Sequence, residues 1–188
     1  MVATELSVGI RRDQKDVLAQ VCFAVIGGDP ANPAERELTR LQALVEELGL
    51  GDVVNFLGAK DHKLLPLYYA AATAVIVPSD YESFGMVALE AMASGTPVIA
   101  SEVGGLAFLV RDQETGFLVP SRDPVALAEG ITTLLVDPEK CKLLGQNAAA
   151  LAQQYTWTKI VTQLKMVFDE LMLLRYPNRR RHSGYSPL

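Results

Sequence analysis

The sequence predicts an α/β domain with a doubly wound parallel sheet. Three observations predict it: short β-rich runs alternate with longer helical stretches, the runs are apolar throughout, and Gly or Pro punctuates their ends. A strand that is apolar on both faces must be covered on both faces, and the helices between such strands supply the cover.

In chain order, Cys22-Phe23-Ala24-Val25-Ile26 reads as a buried strand stopped by Gly27-Gly28-Asp29-Pro30. A helix is expected over 34–48, with Leu38, Leu41, Leu44, Val45 and Leu48 at three- and four-residue spacing and Gly49 as a C-cap. Residues 53–57 form a second strand ended by Gly58, 64–72 a helix and 74–77 a third strand. Residues 84–94 are helical and close with Gly95; 97–100 is a fourth strand ended by Gly104-Gly105, and 116–119 a fifth. Helices over 124–136, 139–154 and 159–174 complete the pattern, the last one amphipathic.

One domain is expected over 21–174. Residues 1–20 read as the remnant of a preceding helix or a disordered start, and 175–188 as a basic flexible tail. No strand is legible before Cys22, where a doubly wound half-domain normally has one, so the chain is expected to start inside a fold.

With 188 residues, 49% hydrophobic and 21% charged, the chain is large enough for one proper core and is not a disordered sequence. A net charge of -5 argues against nucleic acid or an acidic membrane surface as partner. The basic stretch 175–182 reads as a solvated terminus or, alternatively, as a contact for anions or a partner. Cys22 and Cys141 lack a second sulfur or histidine at metal-ligand spacing, so two reduced thiols and no metal site are expected. No secretory signal is visible, and the longest apolar run, 70–78, has about half the residues a bilayer span needs. The expectation is a soluble cytoplasmic protein with no transmembrane segment.

Chemistry concentrates in Pro78-Ser79-Asp80-Tyr81-Glu82-Ser83-Phe84-Gly85-Met86-Val87-Ala88-Leu89-Glu90-Ala91-Met92-Ala93-Ser94-Gly95-Thr96-Pro97. It begins at the C-terminal end of a strand, where open parallel sheets bind ligands, and runs into a helix near Phe84-Gly85. The first amides of that helix, with its dipole, make a phosphate site without a basic side chain, and Gly85 allows close approach to the backbone. From spacing alone, Glu82 is either a charge complementing the helix end or a ligand-binding group. Glu90 is either an exposed helix residue or a carboxylate among apolar neighbours that accepts hydrogen bonds from a ribose diol. His62 reads as a loop or helix-start residue, Tyr68 and Tyr69 as packing residues, and Trp157 as an anchor for the last helix. Gly104-Gly105 reads first as a turn, with approach to a sugar as the alternative. A dinucleotide oxidoreductase would need Gly-x-Gly-x-x-Gly after a first strand, and the chain has none.

The string Glu82, seven residues, Glu90, inside PSDYESFGMVALEAMASGTPVIASEVGGL, resembles the group-4-type retaining glycosyltransferases. The likeness extends to Val25-Ile26-Gly27-Gly28-Asp29, to 53–58, to Glu114-Thr115-Gly116-Phe117-Leu118-Val119-Pro120 and to Tyr155-Thr156-Trp157, covering roughly 21–174. The wording around Gly28 to Pro33 and at Ser79-Asp80-Tyr81 is similar to sucrose-phosphate-synthase-like members.

That resemblance implies a GT-B protein of two Rossmann-like domains, this chain being the C-terminal, donor-binding half. It implies transfer of a hexose from a nucleotide-diphosphate sugar with retention, by front-face attack in which the leaving phosphate takes the acceptor's proton. Glu82 would sit by the donor sugar as the catalytic-site carboxylate, positioning a hydroxyl rather than acting as nucleophile, and Glu90 would hold the ribose. Ser83 and the amides of Phe84, Gly85, Met86 and Val87 would line the sugar and diphosphate, and Gly58, Ala59 and Lys60 would lie along the base. No metal and no separate cofactor are implied. The family's Arg and Lys diphosphate clamp has no clear match: Arg11, Arg12 and Lys15 lie upstream, but Lys15 is too close to Cys22 for the usual intervening helix. The clamp and an N-terminal acceptor-binding domain are therefore expected to be absent from this chain. The alternative is a catalytically incomplete nucleotide-binding fragment or subunit.

Overall fold

The structure is a computed structural model that describes residues 21–32 and 34–175. Its elements run β1 (Phe23–Ile26), α1 (Arg36–Glu47), β2 (Val54–Gly58), α2 (Leu65–Ala71), β3 (Val75–Val77) and α3 (Met86–Ala93). They continue with β4 (Val98–Ser101), α4 (Leu106–Leu109), β5 (Gly116–Val119), α5 (Pro124–Val136), α6 (Pro138–Ala152), a 3-10 turn (Gln153–Tyr155) and α7 (Trp157–Arg175). Strands and helices alternate as expected. The short α4 was not anticipated: four residues are about one helical turn, too few for a period to show in sequence.

Among the described residues every strand pairing is parallel. β1 pairs with β2, Phe23 opposite Val54, with an irregularity that sets Ile26 opposite Gly58. β4 lies between β3 and β5, with Val98 opposite both Val75 and Gly116. The hydrogen-bonded ladder therefore comes in two pieces, β1-β2 and β3-β4-β5. Among the described residues no strand joins β1 to β3; the two pieces match the 3-2 and 4-5-6 stretches of the doubly wound order.

β4 is buried along its whole length, as a central parallel strand should be. Ile99 enters a cluster with Val119, Leu127, Ile131, Leu134 and Leu144, which joins β4 and β5 to α5 and α6. Val98 and Ala100 point to the opposite face by the two-residue alternation of a strand. α3 packs against β3 and β4 through side chains that include the fully buried Ala88, Ala91 and Met92. Small residues bring this helix close to the sheet, and so fix where its N-terminus opens.

The α/β unit ends at Ala152, and a second unit begins at Gln153. Of the latter the structure describes the 3-10 turn and α7, a helix with no buried residue. Ile160, Val161, Leu164, Val167, Phe168, Leu171 and Leu174 recur along it at three- and four-residue spacing. No helix among the described residues is long and apolar enough to cross a membrane. The expectations for residues 1–20 and for the tail beyond Arg175, including Arg11, Arg12 and Lys15, lie outside the described residues.

Candidate functional site

The loop from β3 to α3 leaves the C-terminal end of β3 at Val77 and reaches the helix through Gly85. Gly85 is left-handed (φ 96°, ψ 51°), so the chain turns sharply into α3 there. The helix starts at Met86, two residues later than the sequence suggested. That shift changes which amides are open. The N–H groups of Phe84 and Gly85 donate to Glu82 Oε1 at 3.3 and 3.2 Å. The amides of Met86 and Val87, the first two helical residues, have no acceptor among the described residues, the usual state of a helix start without a long cap. Glu82 thus sits at the positive end of the helix in the role its charge permits.

The loop is braced from two sides. Gly105 N–H donates to the Glu82 carbonyl at 2.8 Å. A Cβ on Gly104 would collide with that carbonyl, and one on Gly105 with Phe84 Cα. The Gly104-Gly105 turn therefore approaches the backbone of Glu82 to Phe84, a partner that sequence reasoning did not identify. On the other side, Arg122 donates to both oxygens of Asp80 at 3.0 and 2.8 Å. The guanidinium holds the Asp80 carboxyl below its usual range. The pair is exposed, so it ties the β5–α5 loop to the β3–α3 loop without adding much stability.

Glu90 lies one turn beyond Met86 on the same face of α3, about 6 Å along the axis. Its side chain is 27% exposed, so it is not the freely exposed helix residue that spacing alone allowed. The chain itself supplies partners. Tyr69 of α2 donates its hydroxyl to Glu90 Oε2 at 3.0 Å, and His62 Nε2 lies 3.3 Å from Oε1. Burial, with the neighbouring Glu90 adding to it, pushes the Tyr69 hydroxyl up to about 12, so it stays protonated and keeps donating at neutral pH. Sequence reasoning missed both partners. Tyr69 looked like packing, and it is buried; His62 looked like a loop residue, and it is exposed in the β2–α2 loop.

Gly58, Ala59 and Lys60 open that same loop at the C-terminal end of β2. Gly58 is buried with φ 68°, and Ala59 N–H donates to the Gly28 carbonyl at 2.8 Å, linking the loops that follow β1 and β2. Ser83 is exposed beside Glu82. The predicted residues therefore occupy loops at strand C-terminal ends, with Glu82 to Val87 and Glu90 on one loop and helix. His62 and Tyr69 connect the β2–α2 segment to Glu90. Cys22 and Cys141 are unpaired thiols, and no cluster suited to a metal ion occurs among the described residues.

The family model of the glycosyl transferases group 1 matches residues 11–151. The chain belongs to this family. A D-inositol 3-phosphate glycosyltransferase of Salinispora tropica is 41% identical over 159 residues, covering 85% of this chain and 33% of that protein. Another, of Corynebacterium aurimucosum, is 42% identical over 174 residues, covering 92% and 41%. The solved sucrose-phosphate synthase of Thermosynechococcus elongatus matches with a TM-score of 0.77 and 40% identity, over 92% of this chain and 42% of that one. Anabaena HepE in complex with UDP matches at 0.73 and 32%, over 82% and 43%. These neighbours carry the GT-B, α/β parallel-sheet fold the sequence implied, and the similarity to a sucrose-phosphate synthase is among them. The chain spans 33% to 43% of the length of these relatives.

Proposed function

We propose that this chain supplies the donor site of a retaining hexosyltransferase that uses a nucleotide-diphosphate sugar. The observation that carries the reading is the half-buried Glu90 carboxylate, set one turn beyond the open amides of Met86 and Val87. A diphosphate on those amides leaves the ribose beside Glu90, whose oxygens accept from its two hydroxyls. A structural neighbour, Anabaena HepE, has been solved with UDP, and this supports a uridine diphosphate as the first ligand to try.

In the reaction, negative charge grows on the leaving diphosphate while positive charge grows at the anomeric carbon. Preorganised amides at the start of α3 stabilise the former without reorganising as the bond breaks. Glu82 leaves the amides of Phe84 and Gly85 when the donor enters and holds a hydroxyl of the donor sugar; Ser83 lines the same edge. Gly58, Ala59 and Lys60 lie along the base. Retention follows from front-face attack, the leaving phosphate taking the acceptor's proton, with no metal or separate cofactor in the scheme. The acceptor site belongs to an N-terminal domain, in keeping with the greater length of the relatives, and a basic diphosphate clamp to the loop before the first landmark strand. The setting proposed is the cytoplasm.

The test is calorimetric titration of the chain with UDP, GDP and ADP, repeated with Glu90→Ala. The reading expects one nucleotide to bind, and the substitution to weaken it by about 1–3 kcal/mol as the diol loses its acceptor. A folded chain that binds none of the three contradicts it. The second reading, a nucleotide-binding fragment or subunit without turnover of its own, draws on the same open amides and Glu90 carboxylate, which can hold a nucleotide whether or not an acceptor is present. It predicts UDP binding with no sugar released or transferred from UDP-glucose.

A further inference from the structure

We propose that Tyr69 is a positioning residue of the donor site: from its buried place on α2 it holds the Glu90 carboxylate of α3 in the orientation a ribose diol requires. The inference rests on the reading of Glu90 as the ribose acceptor and adds to it the group that orients that acceptor.

Tyr69 is fixed at both polar ends. Its carbonyl accepts a hydrogen bond from Thr96 Oγ1 at 2.6 Å, and Thr96, just beyond α3, is itself only 3% exposed. Its hydroxyl donates to Glu90 Oε2 at 3.0 Å. The α2 residue is thereby tied to both ends of the same short stretch, 90–96. A glutamate side chain left free would lose rotamer entropy on taking up a ligand. Held beforehand, it binds without that cost.

The arrangement leaves room for the ligand. A carboxylate offers about four acceptor positions, and Tyr69 uses one. The other oxygen faces His62, whose side chain is 81% exposed, so that side of Glu90 opens to solvent. Tyr69 is the fixed partner and His62 the replaceable one. The hydroxyl, rather than the ring, is the functional part, and Tyr69→Phe removes it while keeping the packing.

The experiment is calorimetry of the full chain with UDP and with 2′,3′-dideoxy-UDP, for the natural sequence, Tyr69→Phe and Glu90→Gln. Tyr69→Phe is expected to weaken UDP about three- to tenfold and to leave the dideoxy nucleotide unchanged. A packing defect would weaken both nucleotides alike, and that result overturns the proposal. If Glu90→Gln abolishes the preference for UDP while Tyr69→Phe keeps it in full, the role of Tyr69 alone falls. If the natural chain shows no preference, or Glu90→Gln retains it, the ribose reading of Glu90 falls first. Should the phenylalanine chain not fold, the natural sequence labelled with 3-fluorotyrosine gives the answer. Its Tyr69 fluorine resonance is expected to shift with UDP and not with the dideoxy nucleotide, and equal shifts with both overturn the proposal.

Discussion

At Gly85 the backbone takes φ 96°, and a Cβ there would lie 2.7 Å from Leu106 Cδ2. Both facts oppose any other residue: the left-handed turn strains an L side chain, and the buried Leu106 has little space to retreat. Gly85→Ala should lower stability by about 1–3 kcal/mol, read as a lower urea midpoint at unchanged slope. An unchanged midpoint would show that the turn relaxes without cost. The sequence made Gly85 legible as a site of close approach, since a glycine before a helix at a strand end has few other uses. Gly104 and Gly105 were legible only as a turn. That they abut the Glu82 and Phe84 backbone is a contact across about twenty residues, and no local pattern encodes it. Tyr69 and His62 escaped notice for the same reason: a tyrosine on an apolar face looks like core until its hydroxyl's partner is known.

Helix starts in this protein are set by two different devices. α5 begins on Asp123, whose Oδ1 accepts from the amides of Val125 and Ala126 at 3.1 and 3.0 Å, with Pro124 as the first helical residue. Asp123→Ala should therefore cost about 1 kcal/mol, seen as a lower thermal midpoint; no change would mean that the packing of Leu127 and Ile131 alone holds this end. α3 has no such cap from its own N-cap side chain. Its start is served by Glu82, three residues before Gly85, and two further amides stay open. The contrast has a physical sense: a well-capped helix presents no donors, whereas an anion site needs them. The boundaries of α5 and β5 were legible because Asp-Pro and Gly mark them. The start of α3 was off by two residues, because Phe84 fits a helix as well as it fits a loop.

For the whole molecule, alternating apolar runs and helices sufficed for the α/β class and for the strands β1 to β5 within a residue or two. Periodicity does not say which strands are neighbours, so the division of the ladder into β1-β2 and β3-β4-β5 came only from the structure. The candidate site was legible as the loop and helix from Glu82 to Glu90, with Gly58 to Lys60 added by the family resemblance, and not as the junction with α2 that Tyr69 and His62 make. In the proposed function a nucleotide diphosphate sits on the start of α3 with its ribose at Glu90. Amide-resolved NMR of the chain during a UDP titration tests this most directly. The largest shifts are expected at Met86, Val87 and Glu90 and along the loop from Ala59 to His62. Shifts that leave these amides unmoved at saturating UDP, or none at all, would contradict it.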